Sequence, residues 1–303
     1  MDGRIGLCLD VDGTVYREGS VFVETMGYVQ FSPLLDVAGD DRRALREALG
    51  AVATFRGGER ARQTFSLAFR LLDAVQSVFG DGAAARALRW FVRAQHARTG
   101  STDAESTDYR EMQRTVLDAY GRFLRRRRPE RVHAAAERVA EKWLPVDERF
   151  VSRFDDDGTV EPFLVTDVPE HVAAAYAARL TGEPDWTAAT TCSVADGRFT
   201  GDYSVVEKRA AVERLRETRS WEYVVAAGDS PVDREMADAA DVFLGVEGVS
   251  GDGPFTDDAE ALALPADPVH VEAAMDANRP LVVPHDVPLV DALDAVLDRL
   301  DSW

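Results

Sequence analysis

The chain has 303 residues, 46% of them apolar, and a formal net charge of −19. That length suffices for one large domain or two smaller ones with cores of their own, and so negative a balance disfavours a nucleic-acid partner, because it repels a polyanion. No apolar run reaches the ~18 residues of a membrane helix, and the first apolar segment follows Met1 with no basic leader, so the expectation is a cytoplasmic protein without a membrane partner.

The first element read along the chain is a short buried strand, with Ile5, Leu7, Cys8 and Leu9 in RIGLCLDVDGTVY. It runs into Asp10 and Asp12, which strand alternation points to the same side. Two like charges held together repel, and a divalent cation is the natural compensation. From residue 17 to about 150 the pattern is helical. Phe65, Phe69, Leu72, Val75 and Phe79 recur at helical spacing, AAARALRWFVRAQHA repeats the pattern, and Tyr109, Met112, Val116, Tyr120 and Phe123 do so again. A further helix opens at Pro129, in a position suited to a first turn. The basic run RFLRRRRPER (122–131) reads as one helix end beside the next helix start, where cations suit the C-terminal dipole.

Beyond residue 150 strands and helices alternate. VEPFLVTD is a strand ending in Thr166 and Asp167, followed by a helix over 168–180. TAATTCSVADGRFTGDY reads as a strand and a turn through Asp196 and Gly197, and EKRAAVERLRE as a helix carrying Lys208. WEYVVAAGDSPVDREMADAA gives a strand, a turn with Asp229 or Ser230 as cap and Pro231 in the first turn, then a helix. DVFLGV and RPLVVP are short strands, and PLVDALDAVLDRL closes the chain as a helix. This alternation predicts an α/β fold, a Rossmann-like open parallel sheet covered on both faces. Residues 1–16 and 151–303 would form its core domain, and residues 17–150 an inserted all-helical cap. Ligands in such sheets bind beyond the C-terminal strand ends, where Asp10, Asp12, Thr166 and Asp229 all fall. Cys8 and Cys192 are the two cysteines and lie in apolar contexts, so neither a disulfide framework nor a zinc site is expected.

Singly these pieces are ordinary: Thr166 can be a helix cap, and a helical lysine is usually a solvated charge. In this order, DVDGT, the hydroxyl residue of LVTD, Lys208 and GDSPVD resemble the four motifs of the haloacid dehalogenase-like (HAD) hydrolase superfamily. The DG-x-x-TG turn before Lys208 is similar to its phosphoserine-phosphatase-like branch. The resemblance covers about residues 4–16 and 160–250 well, and the helical segment matches only in position. It implies that Asp10 is the nucleophile of an aspartyl-phosphate mechanism and Asp12 the general acid and base. Thr166 and the backbone N–H groups around Gly13 and Thr14 would hold the phosphoryl oxygens, and Lys208 would add positive charge. Mg²⁺ would be held by Asp10, the backbone carbonyl of Asp12, and Asp229, with Asp233 in support.

An aspartate at position 12 favours phosphate chemistry over carbon–halogen cleavage. The implied activity is a Mg²⁺-dependent phosphomonoesterase acting on a small phosphorylated metabolite, with a phosphotransferase or phosphomutase, or a non-catalytic regulatory module, as alternatives. Gly13 stands where phosphoserine phosphatases usually carry serine, and Glu18 is about one residue out of register with their substrate-binding glutamate. The substrate is therefore not fixed as phosphoserine, nor does the sequence fix the oligomeric state. Arg56, Arg60 and Arg62 read as solvated. Lys142 and Lys208 are the only lysines, and this acidic, lysine-poor composition resembles that of proteins from salt-loving archaea, so activity is expected to need concentrated salt.

Overall fold

The computed structural model describes residues 4–30, 35, 37, 39–99, 106–153, 159–183, 185–247, 255, 260–261 and 280–300. The described strands are β1 (Ile5–Leu9), β2 (Val160–Pro169), β3 (Thr187–Ala195), β4 (Arg198–Ser204), β5 (Tyr223–Gly228), β6 (Val242–Val246), β7 (Glu260–Ala261) and β8 (Leu281–Val283). They form one sheet in the order β4-β3-β2-β1-β5-β6-β8-β7, parallel throughout except for the β3–β4 hairpin. The central parallel strands β1, β2, β5, β6 and β8 are buried on both faces, which is why they read as unbroken apolar runs. Ile5, Leu7 and Leu9 enter one core cluster while Cys8 enters a second, and Leu164 opposes Phe163 and Val165 in the same way. Each such side chain contributes about 1.5–3 kcal/mol by leaving water.

Between β1 and β2 stand six helices, α1 (Val21–Val29), α2 (Gly39–Phe79), α3 (Asp81–Thr99), α4 (Ser106–Leu124), α5 (Pro129–Trp143) and α6 (Glu148–Arg153). The remaining helices among the described residues are α7 (Glu170–Thr181), α8 (Lys208–Arg219), the short α9 (Arg234–Ala237) after a 3₁₀ turn at Pro231–Asp233, and α10 (Leu289–Leu300). The larger core cluster runs from the sheet through α7 and α10 into α1–α5, and the smaller one lies under α8 and α9. Among the described residues no helix is long and apolar enough to cross a membrane.

Three elements depart from the sequence reading. The helix expected at residue 168 begins at Glu170, because β2 continues through Asp167 to Pro169, which is its N-cap. Thr166 is therefore a strand residue rather than a cap. The helix carrying Phe65 begins twenty residues before the expected start at residue 59, and α1 was not marked by periodicity at all. Basic residues 125, 126 and 128 are exposed between α4 and α5 as expected. Arg127 instead pairs with Asp41 at 2.7 Å and lies over the Phe123 ring. Arg60 and Arg62 are exposed, with Arg62 paired to Glu59, while the Arg56 side chain lies outside the described residues.

The β3–β4 hairpin fixes α4 against the sheet. Phe199 and the 126–127 turn exchange two backbone hydrogen bonds of 2.9 Å. Gly121 and Gly201 let the two backbones meet, since a Cβ on Gly121 would fall 2.2 Å from the Gly201 carbonyl oxygen. Tyr120 Oη, also on α4, lies 2.7 Å from Nε2 of the buried His171 on α7. Burial, with the adjacent His133, pushes the His171 pKa down from 6.5 to about 3. The unfolded chain takes up this proton near pH 6.5 and the native chain does not until about pH 3. Stability contributed by this group is therefore present above that window and lost as pH falls through it, at a limiting slope of about 1.4 kcal/mol per pH unit. We predict that chemical denaturation between pH 7.5 and 5 shows a stability drop that is about 2 kcal/mol smaller in His171→Gln than in the wild type. Equal drops would contradict the assignment.

Candidate functional site

Register brings the motif residues together. Leu9 on β1 pairs with Leu164 on β2 and with Ala227 on β5. Asp10 lies one residue past that row, and Thr166 and Asp229 two residues past it on the neighbouring strands. The Asp10 N–H donates to the Ala227 carbonyl at 2.9 Å, which locks the end of β1 against β5. All three side chains emerge at the C-terminal edge of the sheet centre.

Lys208 reaches this edge from the first turn of α8, where the helix dipole disfavours a cation. It is 2% exposed. Its Nζ donates to Asp10 Oδ1 at 2.8 Å and to Asp233 Oδ1 at 2.5 Å, and it stands 4.0 Å from Asp167 Oδ2. Burial alone would lower its pKa. The carboxylates of Asp10, Asp233 and Asp167 outweigh that and hold the ammonium well above the usual lysine value. Asp10 is pushed well above the carboxylate range by burial, which Lys208 opposes and the like charges of Asp233 and Asp229 reinforce. Asp233 is itself anchored, since Oδ2 accepts from the Ser230 N–H at 2.8 Å and from its hydroxyl at 2.6 Å. Ser230 and Asp233 thereby form a reciprocal cap at the turn after β5, with Pro231 in its first position, as the sequence suggested.

The loop after Asp10 is tight. Gly13 N–H donates to the Tyr16 carbonyl at 3.0 Å, and the Tyr16 N–H to Val11 at 2.8 Å. Gly13 adopts φ +89°, and a Cβ there would lie 2.0 Å from Asp229 Oδ2, so both conformation and space demand glycine. Thr14 is buried and its hydroxyl lies 3.4 Å from Asp229 Oδ1. Asp12 is held at the start of α1, where Oδ1 accepts from the Val21 N–H at 2.6 Å and Oδ2 from the Ser20 hydroxyl. Thr166 is 1% exposed, and its hydroxyl accepts from the Val168 N–H at 3.3 Å.

Asp10, Asp229 and Asp233 each offer a carboxylate oxygen, all within 4.8 Å of one another. An all-oxygen anionic set fits a hard divalent cation such as Mg²⁺. Because Lys208 and Ser230 occupy the Asp233 oxygens, Asp10 and Asp229 are the better direct ligands and Asp233 a support. The Asp12 carboxylate is not in this group.

Asp10, Asp12, Gly13, Thr166 and Asp229 line one cleft, whose other wall comes from α1, α2 and α4. Sequence reading does not single out Tyr109 and Gln113 of α4, and leaves Asp167 either to cap a helix, the preferred reading, or to disfavour an anionic substrate tail; all three line this cleft. Periodicity marks Tyr109 only as an apolar-face position, and nothing local distinguishes Gln113 from a solvated glutamine. Asp167 held a usable signal, because it follows the hydroxyl residue at the end of a strand rather than at a helix start.

No protein-family model and no curated protein matches the sequence. Among solved structures, the chain is similar to cytosolic 5′-nucleotidase IIIB bound to cytidine, with TM-score 0.50 and 12% identity over 99% of this chain and 88% of that one. A phospho-aspartyl intermediate analogue of phosphoserine phosphatase gives TM-score 0.44 and 13% identity over 98% of this chain and 100% of that one. A probable phosphoserine phosphatase from Vibrio cholerae gives 0.47 and 15% over 99% and 67%. At such identities the likeness is one of fold. A central parallel sheet with an antiparallel hairpin on one edge and six helices after its first strand gives the chain the fold of the haloacid dehalogenase-like hydrolases.

Proposed function

We propose that the protein is a Mg²⁺-dependent phosphomonoesterase working through an aspartyl-phosphate on Asp10. The observation that carries this reading is the buried Lys208 ammonium shared between Asp10 and Asp233, beside an oxygen set suited to a divalent cation. A structural ion pair needs one carboxylate; here Asp10, Asp229 and Asp233 bring carboxylate oxygens within 4.8 Å of one another beside the cleft, which suits a site that receives a dianion only with a metal. Bound Mg²⁺ would neutralise the charge of the phosphate and of the attacking carboxylate.

In this mechanism Lys208 and Asp233 hold Asp10 with one oxygen bonded and the other directed to phosphorus. The Asp10 oxygen forms a bond to phosphorus as the bond to the leaving oxygen breaks, and Asp12 gives that oxygen a proton. Asp12 then takes a proton from the water that attacks the acyl phosphate, releasing inorganic phosphate and restoring both aspartates. The Ser20 hydroxyl and the Val21 N–H hold the Asp12 carboxyl in place, and because a hydroxyl accepts as well as donates, both contacts can persist when Asp12 carries the proton. The Thr166 hydroxyl and the N–H of Thr14 hold the phosphoryl oxygens, supplying fixed dipoles where charge develops, while the Gly13 N–H is bonded to the Tyr16 carbonyl and shapes the loop. The inserted helices would form the cap domain, over residues 17–150, that keeps water from the acyl phosphate.

Two outcomes test this reading. Phosphate release from a panel of phosphomonoesters, in about molar KCl to screen surface charge, is expected to require Mg²⁺. It should fall by about a thousandfold or more in Asp10→Asn, in line with loss of a nucleophile. Metal-independent release, or an active Asp10→Asn, would contradict the mechanism. Separately, Lys208→Met leaves Asp10 and Asp233 buried without their cation. Denaturation should show a loss of about 3–5 kcal/mol, and an unchanged midpoint would contradict the electrostatic account.

A further inference from the structure

The cleft changes character with distance from Asp10. Its far wall is apolar, made by Phe22 and Val23 of α1, Phe55 of α2, and Met112, Val116 and Leu117 of α4. Phe55 and Tyr109 meet edge to face at 5.9 Å. Among the described residues lining the cleft, α1, α2 and α4 contribute no lysine or arginine. Arg110, next to Tyr109, is ion-paired with Glu235. Arg17 also borders the cleft, but its guanidinium donates to the carbonyls of Val287, Glu247 and Pro284.

Two polar groups interrupt the apolar wall. Gln113 is 8% exposed, and its Nε2 has no acceptor within hydrogen-bond distance. It lies beside Asp167, whose carboxyl burial pushes above the usual range, with Lys208 and the Gln113 amide opposing that rise. A buried donor without an acceptor bears its full desolvation cost, which a ligand oxygen or ring nitrogen would relieve. Asp167 follows Thr166 on β2 and lines the same cleft. Its nearest cation, Lys208, stands 4.0 Å away and is already bonded to Asp10 and Asp233.

We infer that the cleft takes the phosphate monoester of an uncharged alcohol with an apolar or aromatic body and a hydrogen-bond acceptor for Gln113, and that Asp167 excludes anionic leaving groups. The inference rests on the phosphomonoesterase reading. A carboxylate on the leaving group would meet Asp167 in a low-dielectric cleft where the described lining residues of α1, α2 and α4 offer no lysine or arginine and the Arg17 guanidinium is held by three backbone carbonyls. A neutral ring would bury itself against Phe22, Phe55 and Met112. A second phosphate or a carboxylate is thereby disfavoured for a reason separate from the chemistry at phosphorus.

The test uses three aryl phosphates of similar size: phenyl phosphate, 4-acetylphenyl phosphate and 4-carboxyphenyl phosphate, each with Mg²⁺ in about molar KCl, since a buried charge is screened far less than a surface one. In the wild type, kcat/KM is expected to favour phenyl over 4-carboxyphenyl phosphate by about tenfold or more, and Asp167→Asn to narrow that ratio to about threefold or less. Gln113→Leu should lower kcat/KM for the acetyl compound about tenfold relative to phenyl phosphate. These ratios are internal to each variant, so a partly folded preparation does not imitate them. Release from none of the three compounds would count against the phosphomonoesterase itself. Release that ignores the carboxylate, or a ratio unchanged in Asp167→Asn, would overturn this inference and leave the phosphomonoesterase standing.

Discussion

The buried ammonium of Lys208 is the constraint on which the site depends. It enters at the wrong end of a helix dipole and far from water, and both effects favour its loss of charge. Only converging carboxylates keep it ionised, and they come from separate parts of the chain: Asp10 from β1, Asp167 from β2 and Asp233 from the turn after β5. Strand order β2-β1-β5 is thus a condition for the charge balance as well as for the core. Conversely, the lysine lets three acidic strand ends share one edge.

The same arrangement separates the tasks of the acidic residues. Asp233 spends its oxygens on Lys208 and Ser230 and is a fixture. Asp10 keeps one oxygen bonded to Lys208, and Asp229 sits against Gly13 with no room for a side chain between them. Asp12 is tied to the inserted helices, through Ser20 and the first turn of α1. A proton carrier attached to the wall of the cleft, and a nucleophile attached to the sheet, suits a reaction whose two halves use the same carboxylate in opposite directions.

Much of this was legible in the sequence because strand periodicity and short-range spacing carry it. Ile5 to Leu9, the run ending at Thr166, and VVAAG before Asp229 are apolar strands bounded by polar residues, so their ends could be placed to within a residue or two. The Ser230–Asp233 turn was legible for the same reason, being local. The beginning of α2 was not, because its first turns hold Gly39, Asp40 and Asp41, and Gly50 interrupts the pattern; packing against α4 and α3 sustains it instead. Asp167 was legible as an acid beside the phosphate motif that could disfavour an anionic substrate tail or cap a helix, but Gln113 was not: it is polar on an amphipathic helix, and only the docking of α4 on the β3–β4 hairpin brings it beside Asp167. Lys208 lay between these cases: scarcity of lysine drew attention to it, but its burial is a tertiary fact.

The most direct test of the account is to catch the phosphoryl group on the residue that Lys208 holds. The enzyme would be mixed with an aryl phosphate and Mg²⁺ in concentrated KCl, quenched in acid within the first turnover, and mapped by peptide mass spectrometry. The account predicts a phosphate adduct on Asp10, absent when Mg²⁺ is removed. A turning-over enzyme with no adduct on Asp10, or with the adduct on another residue, would contradict it.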